Sequence, residues 1–218
     1  MKRTVVAGIL AGWLVPVVIA GTDDALDATR GAMAVPADPA FRTPPLTVEC
    51  RVRLNGWAGY NILVANEPKS SATHWEIFTT PRDGRLHAYL PGRAPDHVHT
   101  TAVLETGSWY RVALVLEADR ARLFVDGAEA GAAATASRGG APTPGPLAVG
   151  GLSEGGFGCD GCLDDVRLSR GARPPAADGG ATAAADAGTL GLWRFDAAAP
   201  LADASPARRA GTLRPQVV

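Results

Sequence analysis

Residues 109–127 read Trp109-Tyr110-Arg111-Val112-Ala113-Leu114-Val115-Leu116-Glu117-Ala118-Asp119-Arg120-Ala121-Arg122-Leu123-Phe124-Val125-Asp126-Gly127. Two apolar runs flank Ala118-Asp119, and Asp126-Gly127 turns the chain again, which is the pattern of a β-hairpin. With Glu117 facing Arg120, Leu116 faces Ala121, Leu114 faces Leu123 and Val112 faces Val125. These residues all fall on one face, assigned to a core. Arg111 then faces Asp126, an opposite-charge pair on the other face. A slip of one residue would mix the two faces, so this register is strongly specified.

The same alternation recurs on both sides of this hairpin. Leu46, Val48, Cys50, Val52 and Leu54 alternate with Thr47, Glu49, Arg51 and Arg53, the period of a strand buried on one face. Tyr60–Ala65 is a short apolar run, and a short strand is expected near Ala32–Val35. Leu147–Gly150, Leu163–Ser169 and Leu190–Phe195 complete the strands. No stretch with a 3.6-residue period is long enough for a helix. The Ala/Gly/Pro-rich segment 131–146 reads as a loop between strands, and 171–189 as a connector. The chain has 218 residues with 46% hydrophobic content, which suits one all-β sandwich domain better than two domains. Gly 26 and Pro 17 fall between apolar runs, as turns do. A formal net charge of −1 and the lack of a basic run argue against nucleic acid as a partner.

A second hairpin is expected where Thr73–Thr79 and Arg85–Leu90 flank Asp83-Gly84. With Arg82 facing Arg85, Ile77 faces Leu90, Thr79 faces Ala88 and Phe78 faces Tyr89. Trp75, Ile77, Leu86, Ala88 and Leu90 share the core face. The opposite face holds His74, Glu76, Phe78, Thr80, His87 and Tyr89. An aromatic pair among polar groups is the chemistry of a sugar platform, with rings for apolar contact and donors and acceptors for hydroxyls. Ligand-binding candidates are therefore His74, Glu76, Phe78, His87 and Tyr89, with the loops near Trp57 and Tyr60 as an alternative surface. Ordinary cross-strand stabilisation is the other account of the ring pair.

The N-terminus has the form of an export signal. Lys2 and Arg3 precede an apolar run from Thr4 to Ala20 that ends Val18-Ile19-Ala20. Cleavage after Ala20 would leave a mature chain beginning near Gly21. A retained membrane anchor is the alternative, but the run contains Gly8, Gly12 and Pro16 and is short for a span. No later segment is long and apolar enough to cross a membrane.

Several segments, in order, resemble a laminin-G-like domain of the concanavalin A-like lectin/glucanase superfamily. Leu46-Thr47-Val48-Glu49-Cys50-Arg51-Val52 is similar to its first clear strand. Trp109 to Val115 is similar to its tryptophan-led central strand, and Arg122 to Gly127 to the next strand and turn. Pro146 to Gly151 is similar to its short glycine-ended strand, and Phe157 to Ser169 to its closing strand. The resemblance covers about residues 30–173. It implies a two-sheet antiparallel jelly-roll sandwich occupying 21–218 after a leader at 1–20. One feature departs from the family. The family often begins with a strand like Gly191-Leu192-Trp193-Arg194-Phe195-Asp196, which here stands near the C-terminus. The strand 190–196 is expected to complete the sheet in permuted order, with Trp193 and Phe195 buried and Leu192 and Arg194 pointing away. The alternative is the stub of a second repeat.

Relatives that cleave glycans carry Glu-x-Asp-x-x-Glu on an active strand, so that carboxylates share a face. That run is absent, and the glutamates are scattered. Asp164-Asp165 are adjacent, which in a regular strand sends them to opposite faces. Asp164 shares parity with Val166 and Leu168 and is expected to point inward. No Ser sits in a Gly-x-Ser-x-Gly context. His97 and His99 would share a strand face, but two ligands do not make a zinc site. In an exported chain Cys159-x-x-Cys162 reads as disulfide chemistry. The family's strand order brings Cys50 beside the 159–162 turn, so Cys50–Cys159 is the expected bond, with Cys50–Cys162 and Cys159–Cys162 as alternatives. No cofactor is required by any motif. Calcium is the one the resemblance raises, with Asp126, Asp160 and Asp164 as candidate ligands beside Asp203. The expected function is an exported non-catalytic binding module, secreted or in the periplasm or cell envelope, with a glycan or an extracellular or envelope protein as partner. The alternatives are a structural or protein-interaction module without a carbohydrate site, and a polysaccharide-active enzyme with an unrecognised site.

Overall fold

The alternating runs become strands of two facing antiparallel sheets in a computed structural model that describes residues 24–175 and 184–215. The expected leader at 1–20, its cleavage near Gly21, and residues 176–183 of the connector lie outside the described residues. The strands are β1 (Leu26–Asp27), β2 (Gly31–Val35), β3 (Leu46–Leu54), β4 (Asn61–Asn66), β5 (Trp75–Thr79), β6 (Arg85–Tyr89), β7 (Arg93–Ala94) and β8 (His97–Val103). They continue with β9 (Trp109–Leu116), β10 (Arg120–Val125), β11 (Ala128–Ala134), β12 (Ala136–Ser137), β13 (Leu147–Val149), β14 (Gly161–Arg170), β15 (Thr189–Trp193) and β16 (Thr212–Pro215). One sheet runs β1-β14-β3-β9-β10-β11, with β15 beside β1 on the same edge of β14. The other runs β16-β2-β13-β4-β5-β6-β8, and β7 and β12 form a small ribbon.

The register of β9 and β10 follows from their alternation: Leu116 faces Ala121, Leu114 faces Leu123 and Val112 faces Val125. Asp126 lies opposite Arg111, where its carboxylate accepts the Arg111 backbone N–H at 2.8 Å. Between the sheets, Val112, Leu114 and Leu123 meet Trp75, Ile77, Leu86 and Ala88, all fully buried. At about 25 cal/mol per Å² of apolar surface, this interdigitated layer is the main favourable contribution to folding.

The β5–β6 hairpin departs from expectation by two residues. Phe78 faces His87 and Glu76 faces Tyr89, so Phe78 and Tyr89 are not opposite each other. The turn is wider than Asp83-Gly84 alone because it docks on Trp57. The Arg82 N–H donates to the Trp57 carbonyl at 2.9 Å. Asp83 accepts from the Thr80 hydroxyl and from the Arg85 N–H. Gly84 has φ +59°, and a Cβ there would come within 2.7 Å of the Trp57 indole. A shift of two residues preserves side-chain parity, so the two faces are as expected although the pairs are not.

Other expectations fail at irregularities. A β-bulge shifts the β3–β14 register between Asp164 and Arg167, and the extra residue reverses parity there. Leu163, Val166 and Leu168 point inward. Asp164 points outward, 3.4 Å from Arg51, and Asp165 lies 3.9 Å from Arg194. The adjacent carboxylates therefore do not divide between the two faces. The expected Cys50–Cys159 disulfide is not formed, and Cys50, Cys159 and Cys162 are buried free thiols. Leu54 pairs with Gly161, and the Asn55 N–H reaches the Asp160 carbonyl. Cys50 and Cys159 nevertheless lie in the same buried core, where burial first and the neighbouring Cys50 second raise the Cys159 thiol above its ordinary value. The segment 131–146 is not all loop, since β11 pairs along β10. Its small residues allow close passage past β8: a Cβ on Gly131 would sit 2.3 Å from the His99 carbonyl oxygen.

The C-terminal segment closes both sheets. Trp193 pairs opposite Val166 and Leu192 opposite Arg167, while Leu213 pairs opposite Met33 in the other sheet. Trp193 and Phe195 are buried in the shared core. Leu192 points away from them, as expected, yet it too is buried. The 203–205 segment lies against its backbone: the Leu192 N–H donates to Asp203 at 2.9 Å and the Ala204 N–H to the Leu192 carbonyl at 2.8 Å.

Removing residues 189–218 is expected to destabilise the domain severely, and Trp193→Ala alone to cost about 3–5 kcal/mol, roughly 10 °C in Tm. Thermal unfolding checks both, and an unchanged Tm would mean that the segment is not part of the core. Burial and the neighbouring Asp165 push the Asp164 carboxyl from 3.8 up to about 7, against the Asp165 N–H and Arg51, which lower it. The folded state therefore holds a proton that the unfolded chain releases, and stability contributed by Asp164 below about pH 4 is lost as pH rises towards 7. Asp164→Asn is expected to flatten this fall and to be more stable than wild type above pH 7. Denaturant unfolding at pH 4, 6 and 8 measures the difference, and parallel curves would refute it.

Candidate ligand-binding site

The outward face of the sheet containing β5, β6 and β8 gathers the aromatic and polar side chains expected there. Alternation on β5 sends His74, Glu76 and Phe78 outward, β6 adds His87 and Tyr89, and β8 adds His97 and His99. All 4 histidines of the chain therefore stand on one face. Their rings interleave with the aromatics: Phe78 and His87 at 5.3 Å, His87 and His99 stacked at 5.5 Å, Tyr89 and His97 at 4.7 Å, and His74 edge-on to Tyr89 at 5.9 Å.

Over this face lies a hollow of about 370 Å³, floored by Ile62, Glu76, Phe78 and Tyr89 and rimmed by Tyr60, Lys69, Asp96, His97 and Phe157. That volume is within the range of small-ligand pockets. One wall is the 151–158 loop. The Gly151–Gly158 bridge closes it, and Gly155 and Gly156 turn it with φ of +84° and +88°. Glu154 ties the loop to the rim by accepting the Lys69 N–H at 3.0 Å. Tyr60 and Phe157 meet edge to face at 5.4 Å and are 44% and 49% exposed, whereas Phe78 beneath them is 5% exposed. On the far side of the same loop a second hollow of about 380 Å³ lies over Ala32, Ala34 and Ala148 and ends at Arg214.

Of the five residues proposed from sequence, Glu76, Phe78 and Tyr89 line the hollow. His74 lies beneath the floor, 2% exposed, with Nδ1 2.9 Å from the Glu67 carbonyl. His87 lies outside the hollow, towards the Asp83 turn, where burial and His99 hold its imidazole below the ordinary value against the pull of Asp83. Tyr60, Ile62, Lys69, Asp96, His97 and Phe157 were not among the five. Only Tyr60 had a signal, as an alternative loop contact, and its companion Trp57 is engaged in the fold through its indole N–H to the Leu104 carbonyl at 3.0 Å. His97 arrives through the pairing of Tyr89 with His97.

The candidate calcium ligands do not converge. Asp126 is held at the Arg111 amide, Asp160 accepts from Asn55 at 3.0 Å, and Asp164 pairs with Arg51. Asp126 and Asp164 are separated by the β9 and β3 positions of Arg111 and Arg51, roughly 14 Å across the sheet. Asp203 is engaged by the backbone of Leu192, Ser205 and Arg209. Among the described residues no group of three or more His, Cys, Asp or Glu is placed to hold a metal ion.

The sandwich is similar to a candidate carbohydrate binding protein from Bacteroides ovatus ATCC 8483, at TM-score 0.64 and 16% identity, over 89% of this chain and 60% of that one. The chain thus spans 60% of that protein's length. Domains LG4-5 of the mouse laminin alpha1 chain match at TM-score 0.46 and 18% identity over 65% of this chain and 41% of theirs. The CBM40 module of the Ruminococcus gnavus IT-sialidase, bound to alpha2,3 sialyllactose, matches at TM-score 0.40 and 14% identity over 59% and 71%. No curated protein sequence matches the chain. A laminin G family model, described as concanavalin A-like lectin/glucanases superfamily, matches residues 27–177, and with the jelly-roll topology around that span the chain belongs to this laminin G-like family.

Proposed function

We propose that the protein is a non-catalytic module that binds a glycan in the hollow between Tyr60, Phe157 and Tyr89. The observation that carries this reading is the exposed Tyr60–Phe157 pair. Two large rings stand half exposed at the mouth of a hollow floored by Ile62, Phe78, Tyr89 and Glu76, and clustered exposed apolar surface marks an interaction site. Rings at such a mouth offer flat apolar faces to a pyranose, while Asp96 and His97 at the rim offer hydrogen bonds to its hydroxyls. The carbohydrate-binding description of the Bacteroides ovatus protein is consistent with this use of the fold, though fold alone does not assign function. For catalysis, a glycosidase would need two carboxylates flanking the bond. Here Glu76 is engaged by Lys69 at 3.1 Å and Asp96 by His97 at 3.1 Å.

The Lys2-Arg3 and Thr4–Ala20 segment supports export, with the module working at the cell envelope or outside the cell. Among the described residues no helix is long and apolar enough to cross a membrane.

Tyr60→Ala and Phe157→Ala are each expected to weaken glycan binding by on the order of tenfold with little change in Tm, since both rings are about half exposed. Tyr89→Ala is expected to weaken binding more, because it removes the floor between the two walls. Calorimetric titration of the full chain against hits from a glycan array measures this. Unchanged affinity in folded variants would remove the hollow as the site. Release of reducing ends from a polysaccharide would replace binding with catalysis.

A further inference from the structure

Glu76 is 1% exposed, and a buried carboxylate must be neutralised. Among the described residues the partner that does so is Lys69, whose Nζ lies 3.1 Å from Glu76 Oε1. The neighbouring His74 does not serve in its neutral form. Its Nδ1 is 2.9 Å from the Glu67 carbonyl and so carries the proton, leaving an Nε2 lone pair facing Glu76 Oε2 at 3.5 Å. Both of those facing atoms lack a hydrogen-bond partner.

The Lys69 ammonium also lies 5.7 Å from the ring centroid of Tyr89 and 5.7 Å from that of Phe157, inside the range of cation–π attraction. The hollow thus holds an ammonium between two aromatic faces and above a buried carboxylate, and the cation comes from the chain itself. From this we infer that the hollow recognises a ligand bearing a positively charged ammonium group, which takes the place of the Lys69 ammonium. This rests on the reading of the hollow as the glycan site and names the class of glycan: one carrying a free amine or a quaternary ammonium substituent.

The exchange is balanced in charge. Lys69 is 39% exposed along its side chain, on a flexible four-carbon stem whose ammonium is readily hydrated. It can turn outward to water while its backbone N–H stays with Glu154, so the wall carrying Phe157 remains in place. A ligand cation then restores the charge balance at Glu76, whereas Asp96 at the rim already has Arg138 at 3.5 Å as its counter-charge. A neutral sugar cannot restore that balance, and an anionic one meets the Glu76 carboxylate.

The test titrates the full chain with glucosamine oligomers, their N-acetylated counterparts and choline, by calorimetry and by thermal shift. Wild type is expected to prefer the free-amine oligomers or choline over the N-acetylated oligomers by about tenfold. The stronger of the two cationic probes distinguishes an amino sugar from a quaternary substituent. Lys69→Met removes the internal competitor while keeping the apolar stem. It is expected to bind the cationic probe about tenfold more tightly, with a lower Tm that the probe restores. Glu76→Gln, which is isosteric and removes the charge, is expected to abolish the preference. Equal affinity for the amine and N-acetylated oligomers, or no tightening in Lys69→Met, overturns this inference while leaving the hollow a glycan site. Choline binding without any oligomer binding upholds the inference and rejects the glycan reading. No binding of any probe to wild type or to Lys69→Met overturns the inference, and the glycan reading is then decided by the array alone.

Discussion

The ladder between β14 and β15, with Val166 opposite Trp193, is the interaction on which the rest of the sandwich depends. β1 covers only the start of the β14 edge, through Leu26 and Asp27. An uncovered strand edge is a row of unpaired donors and acceptors. β15 covers the remainder and carries Trp193 inward beneath both sheets. The chain then crosses to the second sheet and adds β16 to the edge of β2. One segment therefore caps the same side of both sheets and fills the core between them. The crossing is fixed by Asp203, whose carboxylate takes the N–H groups of Leu192, Ser205 and Arg209, and by the Trp193 indole N–H to the Arg209 carbonyl at 3.1 Å. Arg209 in turn pairs with Asp38, which joins the C-terminal closure to the segment that leads into β3.

What the sequence shows is what period-two alternation encodes, namely which side chains share a face. That is why Trp75, Ile77, Leu86 and Ala88 were recognisable as core, and why the β9–β10 register followed from apolar matching alone. Alternation is blind to even-numbered shifts. The β5–β6 pairing slid by two residues because a distant side chain, Trp57, widens the turn, and no local pattern records that contact. It is also blind to bulges, so Asp164 was placed inward when the irregularity before Arg167 turns it outward. The cysteine pairing failed for a related reason: strand adjacency brings Cys50 and Cys159 into one core but does not set the Cβ geometry that a bond requires. β11 was hidden by its composition. Its Ala-Glu-Ala-Gly-Ala-Ala-Ala run has little β propensity, and its small residues are explained only by the proximity of β8.

The candidate site divides in the same way. Glu76, Phe78 and Tyr89 come from two consecutive strands and were legible through face parity. Lys69, Tyr60 and Phe157 reach the hollow from loops separated by about ninety residues, and only the closed sandwich brings them together. His97 needed β8, an edge strand whose polar run carries little apolar alternation.

The outward faces of the two sheets hold their charges in different ways. On the β3–β9–β14 face, Glu49 lies between Arg167 at 3.6 Å and Arg111 at 3.9 Å. Burial raises its carboxyl above the ordinary value while both guanidiniums draw it back. Arg167 extends the chain of charges to Asp186, and Asp186 to Arg173. Arg51 and Arg53 lie over the Trp109 ring at 4.9 and 5.1 Å. Each of these charges has an opposite charge or an aromatic ring beside it on a neighbouring strand or the connector, although the Arg167 Nε is left without a hydrogen-bond partner. On the opposite face Glu76 is paired with Lys69 from a loop, and the Tyr60 and Phe157 rings stand half exposed. The difference is one of how the counter-charge is held. A guanidinium buried between neighbouring strands is held by its packing, whereas an ammonium on a loop, 39% exposed along its side chain, can be exchanged for another cation at the cost of a few rotamers.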